Sequence, residues 1–407
     1  MTARIRRPDP RRRPVRTLFL GILVSRFGES VTLVALIWIA YEATRSAAGV
    51  ALIQFSYTIL IPVGGLFVGA VLDRYRVVPV MIADAGAKTV IVLIAIAAAS
   101  AGVGQVPAAI AAALYLGLAW MVGGAGLPTL IAGAVPPRGH SRANLFDSLA
   151  WTSTAFVGPV VAGLVIEAAG PLAALGLGAT CSTVYALLLW SVRHDLMGYL
   201  PPATIGALGT KGIAEGFRLI VRSPLLAALT VMFMSLNAIQ TVYAVALPIY
   251  ATDVLHGGAS EYTLLLSIRS VGEMSGTIIG RWTAPRIGVG RAIILAVFAG
   301  GLLFLPLLAI TSIAGAAISM YIAGLVGNSQ GPWVQTLRMR VIPPALRSRA
   351  FGSIRTLTNI LSPAAALSAG ILVPLVGVPA IFGLIGAGWM LTGIGLGTVA
   401  ELRESVA

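Results

Sequence analysis

The chain has 407 residues, 57% hydrophobic and only 10% charged, with mean hydropathy +0.93 and a formal net charge of +14. Soluble domains carry about 25% charged residues, which excludes a soluble fold, and the apolar runs lack the alternation of a membrane barrel. What remains is an all-α protein that crosses the bilayer many times.

In chain order, residues 1–16 form a basic N-terminus with Arg4, Arg6, Arg7, Arg11, Arg12, Arg13 and Arg16. The apolar run behind them is too long for a signal h-region and no A-x-A-like site follows, so it reads as an uncleaved first membrane helix. Six spans lie at roughly 17–41, 49–72, 79–101, 106–134, 144–168 and 171–192, forming a bundle over 17–192. The stretch 193–222 breaks the pattern. Its first part, with LPPAT, reads as a loop. Its second, KGIAEGFRLIVR, reads as an amphipathic helix with Ile213, Phe217, Ile220 and Val221 on one side. Six more spans, roughly 224–251, 260–281, 291–312, 314–338, 349–373 and 377–400, make a second bundle over 223–400, and 401–407 is a short tail.

The arginines orient the twelve spans. Even-numbered connections carry Arg74, Arg76, Arg138, Arg142, Arg193, Arg218, Arg222, Arg281, Arg286, Arg291, Arg338, Arg340, Arg347 and Arg349, whereas the odd-numbered ones hold only Arg45. The positive-inside rule then places both termini in the cytoplasm. The surplus charge is topological, and a nucleic-acid partner is not expected.

The halves repeat. VPPRGHSRA at 135–143 matches IPPALRSRA at 342–350, a shift of 207, and GLFVG at 65–69 matches GTIIG at 276–280, a shift of 211. Transporters are commonly built from such repeats, with substrate bound between them near the midplane.

Gly69, Asp73 and Arg74 fit the G-x-x-x-D-R core of the loop between helices 2 and 3 of major facilitator superfamily transporters. Arg76 stands where that family usually has glycine. Gly158-Pro159, followed by Ala162-Gly163, is similar to the helix-5 signature of the antiporter branch. The order SRFGE, DRYR, SRANLFDS resembles the drug-efflux and siderophore-exporter branch of drug:proton antiporters. The resemblance covers nearly the whole chain. It implies two pseudo-symmetric six-helix bundles, a monomer, no cofactor, first spans that line a central cavity, and span eleven facing the Asp73 loop.

Asp73 then caps a facing helix, where the dipole favours an acid. Two cytoplasmic gate contacts are expected: Asp73 with span eleven and Arg355, and Arg281 with Asp147 at the start of span five. Charges deep in a span cost about 2.5–3.5 kcal/mol each on insertion scales and are functional candidates. Arg26 and Glu29 share a face of span one, Arg269 and Glu273 of span eight, and Asp84 and Lys88 of span three, nearer the cytoplasmic end. Each pair either satisfies itself or contains a carboxyl that takes up and releases a proton. Glu29 is the foremost candidate, then Glu273, expected to point at span five, then Asp84. Polar and aromatic residues of a substrate cavity are Gln54 and Tyr57, Tyr115 and Trp120, Asn237, Gln240 and Tyr243, and Asn328, Gln330, Trp333 and Gln335. With few charges among them they suit an amphipathic or weakly cationic molecule.

No G-x-x-x-x-G-K-[ST] motif and no G-x-S-x-G elbow between a strand and a helix is present, Cys181 stands alone, and His140, His194 and His256 lack metal-site spacing. The expectation is a non-enzymatic exporter of a drug-, antibiotic- or siderophore-like molecule, coupled to protons across a bacterial plasma membrane. An uptake carrier or lysolipid flippase, with lateral openings between spans five and eight or two and eleven, is the alternative within the class. A non-transporting receptor or scaffold is the alternative outside it.

Overall fold

A computed structural model describes residues 12–102, 104–136, 139–199, 210–327, 329–343 and 346–404. All regular structure among them is helical. The first half comprises α1 (Arg12–Thr44), α2 (Ala47–Arg74), α3 (Val77–Ser100), α4 (Gln105–Ala134), α5 (His140–Ala169) and α6 (Pro171–Ser191). Two surface helices, α7 (Arg193–Tyr199) and α8 (Thr210–Arg222), lead to α9 (Pro224–Ile249) and α10 (Ala259–Ile287). Then come α11 (Val289–Leu302), α12 (Ile313–Gly327), α13 (Gly331–Val341), α14 (Arg347–Asn359), α15 (Ser362–Val376), α16 (Val378–Gly397) and the single turn α17 (Ala400–Arg403).

Nine helical segments among the described residues are long and apolar enough to cross a bilayer, and Ala47–Pro62 and Ile313–Gly327 are shorter apolar helices. In each half the first helix packs on the last or near-last: α1 on α6 and α5, and α9 on α15 and α16. Small residues set the closest crossings. A Cβ on Gly117 would meet the backbone of Tyr57, and one on Gly276 the backbone of Leu325, so α2–α4 and α10–α12 approach through glycine.

Backbone conformation repeats with the sequence. Arg45 and His256, 211 apart, are the two described non-glycine residues at positive φ (47° and 54°), each between a half's first and second helix. Gly170 and Gly377, 207 apart, both adopt a left-handed φ (83° and 81°) before the last helix of a half. L side chains pay for the left-handed region, so a matched pair of such turns marks a duplicated unit.

Several expected boundaries shift. α1 begins at Arg12, inside the stretch assigned to the basic terminus, because Pro14 falls in the first turn, where its missing N–H costs no helical bond. Residues 193–199 are helical and not loop. Spans ten and eleven are each split. The chain breaks between α12 and α13, where Gly331-Pro332 opens the new helix, and between α14 and α15, where Pro363 does so. Proline lacks the N–H and suits the first turn of a helix. Span nine ends early, at Leu302, and a 3₁₀ turn over Leu305–Leu308 follows with Pro306 in it.

The two halves meet at their outer ends. There the Tyr41 hydroxyl hydrogen-bonds Thr252 and donates to Asp253 at 3.2 Å, and Trp38 stacks on Tyr262 at 5.9 Å. Thr252 and Asp253 sit in a π-helical turn, Tyr250–Val254, that extends α9. The α5–α10 seam closes where Gly163 faces Thr263 and where Ser267 donates to the Phe156 carbonyl at 3.0 Å. The α2–α15 seam closes where Gly370 rests on Ala51 and Ala48. Deeper in the membrane, Arg355 of α14 crosses to α4.

Candidate functional site

A cavity on the first-half side of the centre is lined by Arg26, Glu29, Ser30, Leu33, Tyr57, Trp120, Trp151, Thr154 and Ala155. Three helices bring its charges together. Lys88 of α3 reaches Glu29 Oε1 of α1 at 2.6 Å and Asp84 Oδ2, one turn earlier on its own helix, at 3.0 Å. Tyr115 of α4 donates to Asp84 Oδ1 at 3.2 Å. The Lys88 and Asp84 side chains are 4% and 5% exposed, but Glu29 is 24% exposed, so one carboxylate of the triad faces the cavity and the other does not. A charge taken out of water is tolerated only when paired and hydrogen-bonded, and Lys88 with two acids meets that condition.

Arg26 does not pair with Glu29 as expected. Its Nη2 lies 3.4 Å from Asp147 Oδ1 of α5, and its guanidinium covers the Trp151 ring at 4.6 Å. Position i+3 put Glu29 on the same face of α1, but Lys88 claims it. Asp147 faces Arg26, and the expected gate residues Gly69, Asp73 and Arg281 lie outside those whose side chains are described. Arg74 is described and lies over Tyr75 at 5.8 Å. Arg355 reaches across to α4. Its guanidinium lies over Trp120 of α4 at 4.3 Å, against Gly124 one turn on, where a Cβ would overlap it.

In the second half, Arg269 Nη2 binds Glu273 Oε1 at 3.1 Å and Gln240 Oε1 at 2.6 Å, with the guanidinium over Tyr243 at 4.3 Å. Glu273 abuts Gly324 of α12 and not α5, because the glycine face of α10 that it shares packs on α12.

Of the proposed cavity residues, Tyr57 and Trp120 line this cavity. The others are placed elsewhere. Gln54 is buried in α2, and Tyr115 serves Asp84. Asn237 donates to the Thr358 carbonyl of α14 at 2.9 Å, and Gln240 and Tyr243 hold Arg269. Trp333 lines a separate hollow with Gly276 and Gly280, Gln330 is buried at the start of α13, Gln335 is exposed, and Asn328 lies outside the described residues. Gly158 lets α5 approach Ser30 of α1, and α5 continues through Pro159. Trp151 was not among the sequence candidates. Its signal was helical spacing: it stands one turn from Asp147 and, with Thr154, continues that face toward the cavity.

The major facilitator superfamily profile matches residues 18–367. The chain belongs to the major facilitator superfamily. Among curated relatives, the multidrug efflux pump Tap of Mycolicibacterium fortuitum is 25% identical over 97% of this chain and 98% of that protein. Tap of Mycobacterium tuberculosis is 24% identical over 97% and 95%. Among solved structures, a POT family transporter in complex with a thioalcohol-conjugated peptide superposes with TM-score 0.77 at 12% identity, covering 96% of each chain. The nucleoside transporter NupG (D323A mutant) gives 0.73 at 14% identity over 93% and 98%. These likenesses establish the superfamily fold. The protein is a multi-pass plasma-membrane transporter of small molecules and not an enzyme.

Proposed function

We propose that this transporter exports an amphipathic small molecule by proton antiport, with Glu29 as the group that exchanges proton for substrate. The observation that carries this is the asymmetry of the Lys88 triad: Asp84 is sealed, while Glu29 shares the same cation and lines the cavity. Protonating Glu29 releases half of what holds Lys88, yet leaves Asp84 to neutralise it. A cationic substrate group competes with the proton for the same oxygen atoms. The second half supports the assignment. By the shift of 211, Gln240 occupies the position of Glu29 and also binds a cation, Arg269, but an amide has no proton to exchange.

One charge crossing 100 mV is worth about 2.3 kcal/mol, roughly a fiftyfold gradient at about 1.4 kcal/mol per decade, so one exchanging carboxyl is enough. The export direction rests on the likeness to the Tap efflux pumps. The packed outer ends of the α5–α10 and α2–α15 seams favour a central path over a lateral lipid path.

The test is proton release when candidate compounds are added to purified protein in detergent. Wild type releases protons and Glu29→Gln does not. Equal release from both would transfer the role to another carboxyl.

A further inference from the structure

Arg355 comes from the second half but ends in the first. Its guanidinium lies over the ring of Trp120, a wall residue of the cavity, and Gly124 on the same face of α4 leaves the space it occupies. Among the described residues no carboxylate lies within ion-pair distance of it. The other charges here are all engaged: Lys88 with Glu29 and Asp84, Arg26 with Asp147. Among the described residues this half-buried guanidinium has donors with no anion, and Arg is suited to planar, bidentate recognition of a carboxylate.

The wall therefore presents three things in one place. Glu29 offers a negative charge and Trp120, Trp151 and Tyr57 offer apolar surface in the lining, while Arg355, outside the lining itself, brings a positive charge over the Trp120 ring. Arg26 and Arg355 each lie on a tryptophan (4.6 and 4.3 Å), so the two rings are already held as platforms. We infer that the substrate is amphoteric: a flat ring system with a basic group directed to Glu29 and an acidic group directed to Arg355. This deepens the exporter reading and rests on it for the cavity being the substrate site. The basic group accounts for competition with the proton. The acidic group, which binds a residue of the opposite half, makes occupancy of the site a contact between halves. An amphipathic cation without the acid would leave Arg355 uncompensated beside it.

Three matched fluorescent probes separate the contributions: norfloxacin, which carries a carboxylate and a secondary amine at opposite ends of a flat ring, its ethyl ester, and its N-acetyl derivative. Binding is measured by equilibrium dialysis of the purified full-length protein in detergent, corrected with empty micelles. Wild type is expected to bind norfloxacin about tenfold or more tightly than either derivative, the discrimination typical of one charge-assisted contact. Arg355→Gln erases the preference over the ester but keeps the preference over the N-acetyl form. Glu29→Gln does the reverse. Arg355→Lys, which keeps the charge without the fork, retains a few-fold preference over the ester. The inference is overturned if wild type binds the ester as well as the acid, if it binds none of the three, or if Arg355→Gln weakens acid and ester equally. The last outcome would mean that Arg355 only props the halves together. Normal proton release with no preference for the acid would sink this inference and leave the antiporter reading standing. The reverse result would sink antiport at Glu29 and leave the amphoteric site.

Discussion

Lys88 holds two acids at once, and nothing else among the described residues can replace it. Removing one partner of a buried ionic group costs about 3–5 kcal/mol, because the remaining charge is stranded. Lys88→Met should therefore lower stability in detergent by about that amount, read by thermal unfolding of the purified protein. Adding Asp84→Asn should restore part of the loss, since one stranded charge is removed. A single variant within about 0.5 kcal/mol of wild type, the range of an ordinary surface change, would show that the triad is not buried as a unit. The sequence made these charges visible and paired Asp84 with Lys88, but it missed the partners of Arg26 and Glu29. Arg26, Glu29, Asp84 and Lys88 were legible as costly intramembrane charges from their depth in the spans. Helical spacing paired Arg26 with Glu29, and three-dimensional packing paired them with Asp147 and Lys88 instead. Spacing along one helix says nothing about which neighbouring helix arrives first. For the same reason Trp151 and Gly124 went unnoticed: their importance comes from what lies across the gap.

Helices here are positioned by glycines, and identical substitutions at two of them should have opposite signs. Gly86 has open space where a Cβ would go, whereas a Cβ on Gly276 meets the Leu325 backbone of α12. Gly86→Ala is expected to stabilise by roughly 0.5–1 kcal/mol through lower helix entropy cost. Gly276→Ala is expected to destabilise by about 1–3 kcal/mol through overpacking. Thermal unfolding of the two variants side by side gives the answer, and equal shifts would contradict the close α10–α12 approach. Element existence was read well from apolar length, because a bilayer imposes the same length on every span. Interruptions were not. Gly331-Pro332 and Pro363 are visible start signals, but the apolar helix on one side of each break, Ile313–Gly327 or Ser362–Val376, carries the hydropathy of the whole span across it.

At the scale of the whole molecule the outer ends are shut and the charged cavity lies beneath them. Gly163 and Thr263 face each other across the α5–α10 seam, with a Cβ on the glycine 3.0 Å from the threonine Cβ. That is close to the 3.5–4.5 Å of a disulfide. In a Cys181→Ala background, Gly163→Cys with Thr263→Cys should cross-link on oxidation and stop transport in vesicles, and reduction should restore it. Undiminished transport by the fully oxidised pair would show that this seam does not open during the cycle. The duplication behind this architecture was legible in two short sequence matches. The positive-φ pairs Arg45/His256 and Gly170/Gly377 extend it to positions outside those two matches.

Tyr41 and Thr252 are themselves equivalent positions, 211 apart, and they touch. Two equivalent points can meet only on the axis that relates them. In a dimer of two identical six-helix chains that spot would be a residue pressed against its own copy, the isologous contact of any two-fold assembly. Self-contact restricts chemistry: a side chain there must be complementary to itself. Fusion into one chain lifts that restriction, and the pair has since become a phenol against a threonine hydroxyl, with Asp253 alongside. The same freedom allowed Glu29 and Gln240 to part, so that only one copy of a once-shared position carries an acid. A single-chain transporter can thus keep a symmetric frame for motion while placing the carboxyl of this position on one side only.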